Sequence, residues 1–253
     1  MPNIHGLLNP KIWQSPAKAA VPILLLIIVF QEWRKGYFRH FRSYLKAFHP
    51  RPYLLIAAPF LILFFLAFSQ DRFLLSKVRE LQGAFWPYLL FAGRNIGENV
   101  KFWYFLLALY WIARGLRSAQ GASATFGFLL SSALAGLLAH LSKFIFMRAR
   151  PYAEAGPYSL FNYHEILHHS RPYQSLPSGD VALVAGASGY FFFSVSNPFL
   201  RFLALFFPLA NAYARMSLNR HWASDTLAAM ALGFMSAYFF FHFKRYQTLT
   251  PLK

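Results

Sequence analysis

The sequence predicts an all-α, polytopic membrane protein. Of its 253 residues, 57% are hydrophobic and 20% are aromatic. A soluble domain of this size would not need so many apolar side chains to form its core. The apolar residues form long runs, and about twenty helical residues are enough to cross a bilayer. Much of the formal net charge of +17 falls between these runs, where basic side chains meet anionic lipid head groups. Cysteine is absent, which excludes disulfides and thiolate metal sites.

Five or six membrane-spanning helices are predicted after residue 51, and a six-span bundle is the arrangement used below. The predicted spans are 52–69, 99–113, 122–142, 181–195, 200–214 and 222–243. Between the first two, the charged stretch 71–82 has the pattern of a helix at the membrane surface. We expect one membrane domain over residues 52–246, followed by a cytoplasmic tail over 247–253.

Residues 1–51 are predicted to form a membrane-associated, amphipathic extension. The apolar run 19–30 is too short to cross the bilayer, so we expect it to lie at the interface or to re-enter. Lysines precede it as in a signal peptide, but Gln31 and Glu32 follow where a cleavage site would have small residues, so we expect it to be retained.

The stretch 34–51 interleaves basic and aromatic side chains, which suits an anionic membrane surface. Nucleic-acid-binding proteins use similar stretches. The position of this one between two apolar runs favours lipid head groups and predicts no nucleic-acid partner.

The distribution of Lys and Arg near helix ends predicts the orientation of the chain, because such residues concentrate in cytoplasmic loops. In a six-span arrangement, the stretch 34–51 falls on the same side as the other basic loop residues, which are Arg114, Arg117, Arg201, Lys244 and Arg245. That side is predicted to be cytoplasmic. Three polar clusters fall on the opposite side.

The first cluster contains Lys143 and Arg150, near the end of the third span. Seven residues make about two helical turns, so both cations share one face if the helix persists, and Pro151 limits its continuation. Together they could hold one phosphate group. Alternatively, they and Arg148 extend to lipid head groups, as basic residues at helix ends often do.

The second cluster, Pro177-Ser178-Gly179-Asp180, immediately precedes the fourth span and should open its helix. Backbone N–H groups at a helix N-terminus bind anions, glycine permits close approach, and Ser178 adds a hydroxyl donor. Ordinary N-capping by Ser178 or Asp180 is the competing interpretation.

The third cluster contains Arg215, His221 and Asp225, at the end of the fifth span and the start of the sixth. His221 and Asp225 are four residues apart and share a helical face, so the carboxylate can hold one imidazole nitrogen and leave the other free for attack. A structural polar bridge between helices is the alternative.

Together the three clusters read Lys-x6-Arg-Pro, Pro-Ser-Gly-x and Arg-x5-His-x3-Asp, and in this order they resemble the type 2 phosphatidic acid phosphatase (PAP2) superfamily. The resemblance implies a six-helix membrane phosphatase in which His221 forms a phosphohistidine and Asp225 orients the imidazole. It implies that no metal or other cofactor is needed. The phosphate-binding residues that it implies are Lys143, Arg150, Ser178, Gly179 and Arg215.

Two positions depart from the family pattern. Ala214 stands where the family usually has serine, and Asp180 stands where it has a histidine that acts as general acid. Our hypothesis is that Asp180 is that acid, which requires a carboxyl kept protonated beside phosphate. The competing idea is a leaving group that needs little protonation, such as that of a diphosphate or an anomeric sugar phosphate.

The sequence His164-Glu165-Ile166-Leu167-His168 matches the zinc-protease pattern, but it falls in a loop, with Pro172 close behind and no third histidine at the required spacing. We therefore predict no metal site there. We expect a cap over the pocket that contacts a substrate head group, formed by His164, His168, His169 and Arg171.

These observations predict a metal-independent phosphatase of the bacterial inner membrane, with its site facing the periplasm or exterior. The substrate is a phosphomonoester or diphosphate of a membrane lipid, and three classes stay open: lipid A, isoprenoid diphosphates and phosphoglycerolipids. Two alternatives remain, a phosphotransferase with a lipid acceptor and a non-catalytic lipid-phosphate binder. The oligomeric state is left open.

Overall fold

The computed structural model describes residues 16–81, 93, 99–166 and 171–249, and within these ranges the chain is helical without any strand. The all-α prediction is therefore confirmed. Three short 3-10 turns, Pro151–Ala153, Tyr163–Ile166 and Arg171–Tyr173, lie between the fifth and sixth helices. The α-helices are α1 (Pro16–Arg34), α2 (Phe41–Lys46), α3 (Arg51–Glu80), α4 (Asn99–Gly115), α5 (Ala119–Phe146), α6 (Gly179–Ser194), α7 (Pro198–Ser217) and α8 (Ala223–Leu249).

Three described segments are long and apolar enough to cross a membrane: Arg51–Glu80, Ala119–Ala153 and Ala223–Leu249. On the outer face of α3, Leu55 and Phe65 are 77% and 67% exposed, as expected for side chains that face lipid. The chain is thus an integral membrane protein. The other predicted spans form the shorter helices α4, α6 and α7, and the count of six spans stays a prediction.

Helix α6 lies inside the bundle, packed against α5, α7 and α8. Its residues from Val181 to Tyr190 are all buried. Glycines allow the backbones to approach closely, because a Cβ atom on Gly186 would lie 2.7 Å from the Ser131 carbonyl oxygen. The start of α6 is thereby fixed relative to the end of α5 and the start of α8.

Helix α1 packs beside α4, where Tyr110 donates a hydrogen bond to Glu32 at 2.6 Å. The apolar run 19–30 forms one uninterrupted helix, and its placement at the interface or as a re-entrant segment stays a prediction. Further along the basic stretch, Tyr44 of α2 donates to the Phe239 carbonyl at 3.1 Å. The basic stretch therefore contacts the C-terminal half of α8, away from the end where that helix begins.

Helix α3 continues to Glu80, so the prediction of a separate surface helix over 71–82 is wrong. Residue 82 itself lies outside the described residues. Asp71 suggested a surface position, but it is fully buried and pairs with Arg148 at 2.6 Å. Its charge is compensated inside the bundle rather than by water.

Candidate active site

A cavity of about 490 Å³ opens where α5 and α7 end and α6 begins. Residues from all three sequence clusters line it, so the structure brings the clusters together. Its polar lining consists of His140, Lys143, Arg150, Asp180, Arg215, Arg220 and His221. Apolar side chains, including Leu25 of α1 and Trp103 of α4, complete the wall. A site with several cations beside an apolar wall suits an anionic group attached to a hydrocarbon chain.

Lys143 and Arg150 reach the cavity by a different route from the one predicted. The helix does not persist to Arg150, because α5 ends at Phe146 and Met147 adopts a left-handed conformation with φ of 38°. The chain then turns back, and the Arg150 N–H donates to the Pro172 carbonyl at 2.7 Å. A connecting segment thus holds Arg150 in place.

Ser178 and Gly179 form the start of α6. Ser178 occupies the N-cap position, but its hydroxyl makes no capping bond and is buried without a hydrogen-bond partner among the described residues. The competing interpretation of ordinary capping by Ser178 therefore does not hold. A Cβ atom on Gly179 would lie 3.4 Å from the Lys143 ammonium, so the glycine backbone faces the cation directly.

Asp180 lies in the first turn of α6 and contacts Arg215 at the end of α7, with 3.2 Å between Oδ2 and Nε. The two side chains form an ion pair that joins the start of α6 to the end of α7. The site therefore places a carboxylate against one of the three cations that the family resemblance assigns to phosphate.

His221 follows α7 and precedes α8, in a short connecting segment, and its ring is buried. Its Nδ1 lies 2.8 Å from the Ser175 carbonyl oxygen. Because a carbonyl only accepts hydrogen bonds, this contact places the proton on Nδ1 and leaves the Nε2 lone pair free. Burial, with a smaller contribution from Arg150 and Lys143, lowers the pKa of His221 to about 4, so the ring is neutral at pH 7.

Asp225 lies 3.7 Å from Nδ1 of His221, which is an ion-pair distance but too long for a hydrogen bond. Its Oδ2 instead accepts from the Ser175 hydroxyl at 2.5 Å and from the Trp222 N–H at 2.8 Å. Ser175 is thus bonded to both residues, through its hydroxyl to Asp225 and through its carbonyl to His221. The hydrogen bonds that link Asp225 to the imidazole therefore run through Ser175.

A buried ionic network that the sequence interpretation missed supports Asp225. Arg148 donates to Asp225 and to Asp71, each at 2.6 Å, and all three side chains are fully buried. The alternative in which Arg148 extends to lipid head groups is therefore wrong. Ser224 joins the network by donating to Asp71 from its backbone N–H and its hydroxyl. The sequence does contain a signal for this network. Asp71 is an acidic residue within a long apolar helix, and a charge in that position needs a partner.

The predicted cap is described only in part. His164 is exposed in the turn Tyr163–Ile166, while His168 and His169 lie outside the described residues, as does the side chain of Arg171. That turn is a single 3-10 turn, whereas the zinc pattern requires both histidines on one α-helix. Within the part of the chain that the structure describes, no group of three or more His, Asp or Glu could hold a metal ion.

Comparisons with known proteins bear on the family and the fold of the chain. The PAP2 superfamily model matches residues 124–249, which include every motif residue named above. The fold is similar to the crystal structure of a transmembrane PAP2-type phosphatidylglycerolphosphate phosphatase from Bacillus subtilis, with a TM-score of 0.52 and 18% identity. The match covers 77% of this chain and 96% of that chain, and at this identity it shows the fold alone. No curated protein sequence matches the chain.

Proposed function

Because the chain belongs to the PAP2 superfamily and is a PAP2-type phosphatase, we propose that it hydrolyses a membrane lipid phosphate through a phosphohistidine on His221. One observation carries the proposal. The Ser175 carbonyl fixes the proton on Nδ1 of His221, and the ring lines a cavity together with the cations of the first and third motifs and with Gly179 of the second. A neutral imidazole with a free nitrogen beside a phosphate-binding site is a nucleophile ready for phosphoryl transfer.

In the first step, Lys143, Arg150 and Arg215 bind the phosphoryl oxygens. Two further donors are the Gly179 N–H and the Ser178 hydroxyl, which has no hydrogen-bond partner among the residues that the structure describes. Nε2 of His221 attacks phosphorus, and the bond to the leaving oxygen breaks. The cations stabilise the charge that spreads over the phosphoryl oxygens, so positioning and electrostatics provide the catalysis.

In the second step, water attacks the phosphohistidine and releases inorganic phosphate, and the bonding electrons return to Nε2. The imidazole carries more positive charge while it is phosphorylated. Asp225 stabilises that charge from 3.7 Å, and its bonds to Ser175 and Trp222 keep the ring in place. The attacking water loses its proton to solvent. In the first step, the leaving oxygen either takes a proton from Asp180 or departs as an anion.

The apolar wall of the cavity supports a lipid substrate, because Leu25 and Trp103 can contact the hydrocarbon next to the phosphate. We further propose that the site faces the periplasm of a bacterial inner membrane. In support, the basic stretch 34–51 contacts α8 away from the cavity, which fits basic loops on the cytoplasmic side, where they can meet anionic head groups. The domain boundaries at residues 51 and 246 and the head-group cap remain proposals as well.

The test is phosphate release by the purified protein from a panel containing lipid A, an isoprenoid diphosphate and phosphatidic acid. His221→Ala should abolish release, whereas His49→Ala, at an exposed histidine outside the cavity, should leave it unchanged. Lipid binding without release by the wild type would instead identify a binder. Transfer of labelled phosphate to a second lipid rather than to water would identify a phosphotransferase.

A further inference from the structure

A fourth cation lines the catalytic cavity, and the family motifs do not include it. Arg220 immediately precedes His221, and its side chain contributes to the same cavity wall as Lys143, Arg150 and Arg215. One phosphoryl group already has three cations, the Ser178 hydroxyl and the Gly179 N–H as partners. The position of Arg220 therefore points to a second anionic group in the cavity.

The backbone of Arg220 is held in a defined turn. Asn219 adopts a left-handed conformation with φ of 55°, which asparagine tolerates better than most residues. Its side-chain oxygen accepts two hydrogen bonds from Arg79 of α3, at 3.0 and 2.7 Å. The Arg220 N–H donates to the Arg215 carbonyl at 3.0 Å. These contacts fix where the Arg220 side chain leaves the backbone.

Tyr152 places the Arg220 side chain beside that of Arg150. The guanidinium carbons of both arginines lie 6.0 Å from the centroid of the Tyr152 ring, so one aromatic ring contacts both cations. Arg150 binds the transferred phosphoryl group in the proposed mechanism. Arg220 is therefore suited to a group attached directly to that phosphoryl group.

The net charge of the cavity lining also favours a substrate with a second anionic group. Among the described residues that line the cavity, four are cations, Lys143, Arg150, Arg215 and Arg220, and one is a carboxylate, Asp180, so the positive charges exceed the negative by three while His221 is neutral. A phosphomonoester brings at most two negative charges. A lipid diphosphate brings three when fully ionised, which matches the excess.

Asp180 gives an independent reason for the same conclusion. Its Oδ2 forms an ion pair with Arg215, 3.2 Å from Nε, so the side chain is engaged by a guanidinium rather than placed to donate a proton to a leaving group. An alcohol leaving group needs that proton, because an alkoxide is strongly basic. A phosphate leaving group does not, because the second pKa of a phosphate monoester is only about 6.

We propose that lipid diphosphates are the substrate class of this site, and that Arg220 binds the phosphate that remains on the lipid. The proposal rests on the proposed function. Nε2 of His221 forms a bond to the terminal phosphorus, and the bond from that phosphorus to the bridging oxygen breaks. The electron pair stays on the bridging oxygen, and the lipid monophosphate leaves without a proton, stabilised by Arg220. Water then cleaves the P–N bond, releases inorganic phosphate and loses its proton to solvent.

The experiment compares farnesyl diphosphate with farnesyl monophosphate in detergent micelles, for the wild type and for Arg220→Gln. The wild type should have the higher kcat/KM for the diphosphate. Loss of a charged hydrogen bond to the leaving phosphate should lower the kcat/KM of Arg220→Gln for the diphosphate about tenfold or more. Its kcat/KM for the monophosphate should change less than about threefold.

Two further variants serve as controls. Arg220→Lys keeps the charge and should recover part of the diphosphate activity, which separates charge from folding. Arg201→Gln changes an exposed arginine at the start of α7, outside the cavity, and should match the wild type on both substrates.

An equal loss on both substrates in Arg220→Gln, or a wild type that prefers the monophosphate, overturns the proposal. Failure of the proposed function has a different signature, because phosphate release would then persist in His221→Ala with either substrate. Release that depends on His221 but is unaffected by Arg220→Gln rejects the diphosphate proposal and leaves the proposed function intact.

Discussion

The network of Asp71, Arg148 and Asp225 should control the rate of phosphoryl transfer without contacting the substrate. Arg148 donates to both carboxylates, to the Ser224 hydroxyl at 2.7 Å and to the Pro157 carbonyl at 2.8 Å. Replacing Arg148 by methionine keeps most of the side-chain volume but leaves two buried carboxylates without their cation. Breaking a buried ion pair in this way costs about 3–5 kcal/mol of folding stability.

The catalytic effect of Arg148→Met follows from what Asp225 holds. Asp225 fixes the Ser175 hydroxyl and the Trp222 N–H, and the Ser175 carbonyl in turn fixes Nδ1 of His221. A shift of about 1 Å at a nucleophile can cost about a hundredfold in rate. We expect kcat to fall about tenfold to a hundredfold, while KM changes less than about threefold, because Arg148 does not line the cavity.

The assay combines steady-state kinetics on the best substrate with thermal unfolding of the detergent-solubilised protein. In the Arg148→Met background, Asp71→Asn should raise the Tm, because it removes one of the two uncompensated charges. Arg148→Lys should have a kcat between those of the wild type and Arg148→Met. An ammonium group keeps the charge, but it lacks the two guanidinium nitrogens that bind the two carboxylates separately. Arg72→Met, at an exposed arginine beside Asp71, is the matched control and should behave as the wild type. A raised KM with unchanged kcat, or no change in kcat and Tm, would refute the reasoning.

Two further predictions concern Asp180 and His221. Because Asp180 forms an ion pair with Arg215 and is not placed as a general acid, Asp180→Asn should keep kcat/KM for farnesyl diphosphate within about threefold of the wild type, whereas loss of a general acid would cost about a hundredfold or more. Burial lowers the pKa of His221 to about 4, so the unfolded state takes up a proton first as the pH falls below about 6.5. The stability contributed by the neutral ring is complete above that pH and is lost towards pH 4. The Tm of the wild type should therefore fall more between pH 7 and pH 5 than that of His221→Gln, and parallel curves would contradict the assigned burial.

The sequence predicted which residues meet, because helix ends on the same side of a bundle must come together. Lys143 at the end of α5, Gly179 at the start of α6 and Arg215 at the end of α7 follow from the alternation of helices alone. The path of the backbone to Arg150 could not be predicted. Its turn depends on a left-handed conformation at Met147, and such conformations are usually indicated in a sequence by glycine or asparagine. Arg150 still lines the cavity because the chain turns back on itself.

The contacts that position the nucleophile could not be predicted from the sequence. The Ser175 carbonyl that holds His221 is a backbone group, and a backbone contact has no side-chain pattern to reveal it. Asp71 and Arg148 are 77 positions apart, and hydrophobic periodicity does not indicate which buried charges pair. The sequence pattern places Asp71 in a surface helix, because a charged residue in an amphipathic stretch usually contacts water.

Trapping the covalent intermediate tests the central claim most directly. The protein is mixed with a lipid diphosphate that carries a radiolabelled terminal phosphate, quenched with base within the first turnover, and digested to locate the label. We expect an acid-labile, base-stable label on the peptide that contains His221, present in His49→Ala and absent from His221→Ala. Label on another residue, or phosphate release with no labelled protein at any time, would contradict the account.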